Sequence, residues 1–288
     1  MRLKDMLKNG INRLSSCNIE NGEQDAKLIA MHVLKMDYTK LFMRLDSEVD
    51  DGLIDMYDAL IEKRATHYPC QYIIGTTEFM GYEFHVEPNV LIPRPETELL
   101  VERALELTDE TDSCNVLDMC CGTGCIGISY ILSRRKAGHL RDRLTMVDIS
   151  DYALGLSKKN SFCQNVECDI IKSNLFEFRK ASEEDYGFYD VIMTNPPYIR
   201  SKDIDELMEE VRDFEPRLAL DGSEDGLYFY REIIGEARNY LRDGGYLLCE
   251  IGYDQYDEVQ GILIDKGYRD IELTKDYAGL ARIVSCHK

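Results

Sequence analysis

The chain has 288 residues, 44% of them hydrophobic and 31% charged, enough to bury a substantial core in one large domain or two. Its 54 acidic residues against 34 basic ones give a formal net charge of −20, and residues 181–232 alone hold 15 acidic and 5 basic side chains. A surface of that sign repels phosphate backbones and argues against a protein built to grip nucleic acid, but suits an enzyme acting on a basic protein.

Residues 1–66 read as helices. Leu3, Met6, Leu7, Ile11 and Leu14 share one face at three-and-four spacing, Ile29, Val33 and Met36 repeat it, and Leu53, Met56, Tyr57, Leu60 and Ile61 form a third stripe. Asn21-Gly22 separates the first two, and Asp50-Asp51-Gly52 opens the last. The first residues lack the apolar run of a signal peptide, and no stretch approaches the ~20 apolar residues of a membrane span. Ten cysteines are scattered without paired C-x-x-C spacing. They read as small apolar residues in a reducing cytoplasm, with neither a disulfide framework nor a zinc site expected.

The pattern changes at Tyr68-Pro69. Residues 71–74, 78–80 and 82–86 read as short strands, the last two joined by a hairpin turn at Gly81. In Leu91-Ile-Pro-Arg-Pro-Glu-Thr-Glu98 two prolines bar a helix until Glu96, after which Leu99, Leu100, Val101, Ala104 and Leu105 carry a helical face. Beyond Asn115, strand-like residues 116–119, 144–147, 190–194 and 246–251 alternate with helical residues 126–135, 153–160, 203–212 and 228–241. That alternation predicts an α/β fold with a parallel sheet covered on both faces. Residues 270–274 and 281–286 then read as an antiparallel hairpin closing one edge.

Val116-Leu-Asp-Met-Cys-Cys-Gly-Thr-Gly-Cys-Ile-Gly127 is a strand, a glycine turn and a helix start, with Gly122, Gly124 and Gly127 in the G-x-G-x-x-G pattern. Asp148 ends the next strand, 24 residues after Gly124, where a carboxylate can take two hydrogen bonds from ribose hydroxyls. A ribose-bearing cofactor follows. Asp118, ahead of the glycines, suits the ammonium of a methionine moiety and repels a pyrophosphate, which favours S-adenosylmethionine over NAD. The same carboxylate could equally brace the loop backbone.

Asn195-Pro196-Pro197-Tyr198 follows the strand at 190–194, at the carboxyl end where open α/β sheets bind ligands. It fits the problem of methylating a planar amide or arylamine nitrogen, whose lone pair is delocalised. The Asn195 side-chain oxygen and the Pro196 carbonyl can accept the two NH₂ hydrogens and favour a more tetrahedral nitrogen. The prolines stiffen the turn, and the Tyr198 ring can pack on the flat group being methylated. An ordinary Asn-Pro turn is the plainer alternative.

These segments together resemble the release factor glutamine methyltransferases, the PrmC/HemK family, over essentially the whole chain. The resemblance includes the helical start, Ile92-Pro-Arg-Pro-Glu-Thr-Glu98, the cofactor loop, Val147-Asp148 with Ser150, and Asn195-Pro-Pro-Tyr-Ile199. It continues through Glu215-Pro-Arg-Leu-Ala-Leu-Asp-Gly222, Asp225-Gly-Leu227 and Lys275-Asp-Tyr-Ala-Gly279 with Arg282. It implies a seven-stranded Rossmann-like class I methyltransferase sheet behind a small all-helical N-terminal domain, and S-adenosyl-L-methionine as methyl donor, with S-adenosyl-L-homocysteine as product. The implied substrate is the glutamine of the Gly-Gly-Gln loop in peptide chain release factors, with no membrane or nucleic-acid partner. Residues 1–74 would recognise the partner, 75–110 would form a hairpin and linker, and 111–288 would carry out transfer.

Carried over residue by residue, Cys120, Cys121, Gly122, Thr123 and Gly124 form the cofactor loop with Asp118 behind it. Asp148 holds the ribose, and Asn174-Leu175 lies beside the adenine. Asn195 touches both cofactor and substrate, while Asn195, Pro196, Pro197 and Tyr198 clamp the glutamine. Arg94 and Glu96 shape the substrate cleft, or merely start a helix, and the acidic stretch after residue 181 attracts a basic Gly-Gly-Gln domain, or is simply a solvated face. Two positions depart from the family pattern: Cys120 replaces the first loop glycine, and Asn174-Leu175 stands where relatives often carry an aromatic or acidic residue. A glutamine methyltransferase of a ribosomal protein and a nucleic-acid adenine N6-methyltransferase are the rival readings. The second would want a basic groove, against the charge balance.

Overall fold

The computed structural model describes residues 1–179 and 187–288; residues 180–186, which include the start of the acidic stretch, lie outside the described residues. The chain divides into two compact units, Met1–Thr76 with Met208–Phe214, and Thr77–Leu207 with Glu215–Lys288.

In the first unit the three amphipathic stripes become α1 (Leu3–Ser16), α2 (Gly22–Leu34) and α4 (Asp51–Arg64), with the short α3 (Tyr38–Met43) between them. Asp37 and Asp50 cap α3 and α4 by accepting the backbone N–H of Lys40 and Gly52, at 2.8 and 2.9 Å. Leu3, Met6, Leu14, Ile29, Tyr57 and Ile61 meet in one core. Residues 71–74, expected as a strand, instead form the helical turn α5 (Cys70–Ile74), entered from Pro69 and stopped by Gly75 at φ 84°. Proline at a helix entrance and a left-handed glycine just past its end outweigh the apolar run.

The helix expected over 203–212 is likewise absent as such. A 3₁₀ turn at Ile204–Glu206 and the one-turn helix α9 (Glu209–Arg212) are broken apart by extended backbone at Leu207 and Met208. The second piece belongs to the helical unit. Arg64, almost fully buried, donates to Asp25 and Glu210, both at 2.7 Å, and Tyr68 packs edge-on against Phe214 at 5.2 Å.

From Thr77 on, the second unit opens with the hairpin of β1 (Thr76–Phe79) and β2 (Tyr82–His85), turned through Met80 and Gly81, both at positive φ. Then follow α6 (Glu98–Thr108), β3 (Asn115–Met119), α7 (Cys125–Lys136), β4 (Arg143–Asp148), α8 (Asp151–Cys163), β5 (Asp169–Lys172) and β6 (Tyr189–Thr194). The last elements are α10 (Tyr228–Tyr240), β7 (Leu241–Glu250), α11 (Tyr256–Asp265), β8 (Arg269–Lys275) and β9 (Ala281–His287).

Seven strands make one mixed sheet in the order β5-β4-β3-β6-β7-β9-β8. The first five are parallel, and β9 pairs antiparallel with both β7 and β8, so the C-terminal hairpin closes an edge as the sequence predicts. β6 is buried along its whole length. Helices cover both faces: α10 and α11 supply Tyr230, Ile233, Ile234 and Leu263 to one core, and α6 and α7 supply Leu100, Val101, Ile128 and Tyr130 to the other. The chain winds outward from β3 to β4 and β5, then crosses to β6 on the other side. That reversal opens a crevice at the carboxyl ends of β4, β3 and β6. No helix among the described residues is long and apolar enough to cross a membrane.

Removing Arg64 leaves two carboxylates in the helical unit without their cation. Arg64→Met is expected to destabilise that unit by about 3–5 kcal/mol and to speed hydrogen exchange at residues 208–214. Unchanged exchange there would contradict the assignment of this segment to the helical unit.

Candidate active site

The glycine turn is stitched to the neighbouring strand. The Cys121 N–H donates to the Val147 carbonyl at 3.0 Å and the Gly122 N–H to Asp148 Oδ2 at 2.9 Å. Asp148 Oδ1 accepts the Ser150 N–H at 2.9 Å, so each carboxylate oxygen holds one backbone donor and keeps lone-pair capacity. Burial pushes this carboxyl up, opposed by the backbone N–H groups of Ser150, Gly122 and Ile149. Cys120, standing where the family pattern has glycine, takes φ 61°, the left-handed backbone that glycine would adopt at no cost. The turn is therefore kept, at roughly 1–2 kcal/mol of strain.

Asp118 lies fully buried beneath this turn. Its Oδ2 accepts the Gly127 N–H at 2.9 Å in the first turn of α7, where a carboxylate also suits the helix dipole. Its Oδ1 has no partner among the described residues. Burial raises its carboxyl to about 7, against the pull of the Gly127 N–H and with a push from Asp148.

One cavity gathers most of the residues singled out in the sequence. Cys120, Cys121, Gly122, Thr123, Asp148, Asn174, Leu175 and Asn195 line it, with Pro197, Arg94 and apolar walls from Ile126, Val147 and Phe229. Asp118, Gly124, Glu96, Pro196 and Tyr198 do not line it. Tyr198 instead faces a second cavity with Arg200, Gly252 and Arg282.

Three segments far apart in sequence are fastened together here. The Thr97 hydroxyl donates to Glu250 Oε2 at 2.5 Å, Asn195 Nδ2 donates to Thr97 Oγ1 at 3.3 Å, and the Tyr198 hydroxyl donates to Glu250 Oε1 at 3.4 Å. Arg94 pairs with the buried Glu215, which also accepts the Ile92 N–H at 3.4 Å. Ile199 exchanges backbone hydrogen bonds with Leu220 and Gly222, at 3.0 and 2.8 Å. Gly222 must be glycine, because a Cβ there would stand 2.8 Å from the Tyr198 Cα. The Glu215-Pro-Arg-Leu-Ala-Leu-Asp-Gly222 stretch thus buttresses the Asn-Pro-Pro-Tyr turn. Glu96 contributes charge beside Glu250 and Arg282.

Thr97 and Glu250 were not singled out from the sequence. The available signal was a carboxylate at the end of the apolar run Leu247-Leu248-Cys249-Glu250-Ile251, which cannot be buried without partners.

A doubly wound sheet with a glycine turn, a strand-end carboxylate and Asn-Pro-Pro-Tyr at its carboxyl edge defines an α/β methyltransferase. Family models agree: residues 5–75 match the PrmC N-terminal domain, and residues 95–214 match the methyltransferase small domain. The release factor glutamine methyltransferase of Clostridium botulinum is 37% identical over 290 residues, covering 100% of both chains. That of Clostridium acetobutylicum is 38% identical, covering 99% of this chain and 98% of its own. A T. thermophilus 16S rRNA N2 methyltransferase, solved in complex with AdoMet and guanosine, shares the fold at 17% identity and a TM-score of 0.52, over 74% of this chain and 49% of that one. The chain belongs to the release factor glutamine methyltransferase family.

The Asp118 carboxyl holds its proton more tightly folded than unfolded, so the stability linked to that proton is complete below about pH 4. It is lost as pH rises through 7. Asp118→Asn, which keeps an acceptor for Gly127 but carries no charge, is expected to gain roughly 2–3 kcal/mol on wild type between pH 5 and pH 8. Urea unfolding at both pH values measures this, and parallel pH curves would refute it.

Proposed function

We propose that this chain transfers a methyl group from S-adenosyl-L-methionine to the side-chain amide nitrogen of the glutamine in the Gly-Gly-Gln loop of a peptide chain release factor, leaving S-adenosyl-L-homocysteine. One observation carries the reading: Asn195 and Pro197 line the same cavity as the glycine turn and Asp148. On this reading a nucleoside-binding end and an amide-binding end share one space. The names of the relatives, release factor glutamine methyltransferases, support a release-factor glutamine as the substrate.

The residues present fit this cofactor. Among the described residues that line the cavity Arg94, committed to Glu215, is the one cation, so a pyrophosphate would meet the Asp148 carboxylate with no unpaired cation among them. A nucleoside that carries a sulfonium in place of phosphates is compatible with both the carboxylate and the apolar walls. The free lone pairs of Asp148 take the ribose hydroxyls, and Asn174 and Leu175 flank the adenine. Cys120, Cys121, Gly122 and Thr123 bring backbone close to the methionine end, with Gly124 behind them closing the turn. Behind them Asp118 Oδ1, without a partner among the described residues, attracts the ammonium. When bound, the cofactor supplies an electrophilic methyl group on sulfur.

The chain's work is then chiefly positioning. The Asn195 Oδ1, on the cavity wall, and the Pro196 carbonyl, next to it in the same turn but off that wall, accept the two amide hydrogens and present the nitrogen lone pair in line for attack, an effect worth up to about 7–11 kcal/mol in good cases. No base is needed beforehand, because the methylated nitrogen is strongly acidic and loses a proton once the N–C bond has formed. Pro197 and Tyr198 keep the turn rigid, and Arg94 with Glu96 shapes the approach to it. The helical residues 1–74 recognise the release factor, whose basic Gly-Gly-Gln domain the acidic stretch attracts. This chemistry belongs in the cytoplasm, beside the translation machinery.

The test is incubation with methyl-labelled S-adenosyl-L-methionine, purified release factors, ribosomal proteins and DNA. Label is expected in the release-factor peptide that contains Gly-Gly-Gln, with a 14 Da gain on its glutamine, the mass of one methylene. Label confined to a ribosomal protein or to adenine would assign the chain to one of those substrates instead.

A further inference from the structure

We propose that Thr97 and Glu250 are positioning residues that lock the orientation of the Asn195 amide, so that its oxygen faces the substrate. The inference deepens the reading of Asn195 as an acceptor for the glutamine amide, and rests on it.

A threonine hydroxyl has a single proton. Thr97, 2% exposed, sits 2.5 Å from Glu250 Oε2 and 3.3 Å from Asn195 Nδ2. When the Glu250 carboxylate takes that proton, Thr97 can only accept from Asn195, which turns the amide nitrogen toward Thr97 and leaves Oδ1 for the cavity. A protonated Glu250 would reverse the chain: the acid donates to Thr97, Thr97 donates to the asparagine oxygen, and the amide presents N–H groups to a substrate that itself offers two N–H groups. Two donors facing two donors cannot form the clamp. The orientation of an asparagine amide is settled by its hydrogen-bond network, and here the network ends on a carboxylate.

The carboxylate is itself held in place. The Tyr198 hydroxyl reaches its other oxygen at 3.4 Å, and the Tyr230 hydroxyl on α10 donates to the Glu250 backbone carbonyl at 2.8 Å. The titratable and charged groups that face it are Thr97 and Glu96 on the 3₁₀ turn at Pro95–Thr97, Tyr198 on the loop after β6, Arg282 on β9, Tyr230 on α10 and Cys125 on α7. Burial dominates and raises the carboxyl to about 7, with Thr97, Arg282 and Tyr198 pulling it down and Glu96 pushing it up. The lock therefore tightens as pH rises through neutrality.

Three variants, Thr97→Val, Thr97→Ser and Glu250→Gln, test this on the full chain. Two readouts are used: single-turnover methyl transfer to release factor across pH 6–8.5, and the side-chain NH₂ signals of Asn195 in the ¹⁵N-labelled protein without ligand. In wild type the rate should fall toward acid, and the Asn195 NH₂ pair should shift with a midpoint near the Glu250 carboxyl value of about 7. Thr97→Val should transfer roughly tenfold more slowly at pH 8, the loss of one hydrogen bond to a charged chain, while binding S-adenosyl-L-homocysteine within about twofold of wild type. Thr97→Ser should recover most of the rate, and in Glu250→Gln both the acid limb and the NH₂ titration should vanish.

Wild-type transfer by Thr97→Val, or an Asn195 titration that persists in Glu250→Gln, overturns the proposal. If Thr97→Val fails to fold, the Glu250→Gln titration decides alone. A wild-type enzyme that leaves release factor unlabelled defeats the substrate assignment, and the NH₂ titration still reports separately on the lock.

Discussion

A carboxylate buried at the end of a strand is the constraint on which this site depends. Glu250 closes β7 with 2% of its surface exposed, and moving such a group out of water costs several kcal/mol unless donors surround it. The donors come from elsewhere: the Thr97 hydroxyl from the segment before α6, and the Tyr198 hydroxyl from the turn after β6. Meeting the hydrogen-bond needs of one side chain thus pins together two loops about a hundred residues apart in sequence. Asn195 hangs from the same network through Thr97, so the residue proposed to hold the substrate amide is placed by a charge that never meets the substrate. Arg94 and the buried Glu215 make a second tie of this kind, joining the proline-rich segment to the stretch that braces the Asn-Pro-Pro-Tyr turn.

The sheet determines where these loops can meet. β4, β3 and β6 lie side by side and parallel, so Asp148, Cys120 and Asn195 emerge at one edge, where the chain reverses its winding direction. The glycine turn is anchored across β4 by Cys121 and Gly122, and Asp118 fixes the start of α7 from beneath. Cys120 keeps a left-handed backbone despite its side chain, which shows that the surrounding hydrogen bonds determine the turn more strongly than residue preference does.

Much of this was legible in the sequence because buried parallel strands are short, apolar and bounded by turns. The runs at 116–119, 144–147, 190–194 and 246–251 all became strands of the central sheet. β5 was missed because it is short and only half-buried, with two isoleucines between charged ends. Residues 71–74 misled because an apolar run of that length suits strand and helix equally, and the flanking Pro69 and Gly75 decided it. The division of 203–212 was not readable locally. Its second half is fixed by Arg64, 146 residues away in sequence, and no periodicity records that. The residues of the glycine turn stand out one by one in the sequence, whereas Thr97 and Glu250 draw their meaning from each other and from Asn195, a relation visible only in three dimensions.

The proposed chemistry asks little of the chain beyond geometry, since a neutral amide nitrogen attacks and its proton leaves afterwards. Nearly all of the rate should then reside in how well the two amide hydrogens are held as the nitrogen departs from planarity. Single-turnover methyl transfer by Asn195→Ala, with cofactor and release factor both saturating, tests this most directly. The account predicts a rate at least about tenfold below wild type with release-factor affinity little changed, because the lost interaction matters most in the transition state and the partner's contacts extend well beyond this pocket. Transfer at the wild-type rate would mean that the Asn-Pro-Pro-Tyr turn is structural and that the amide is held by other groups.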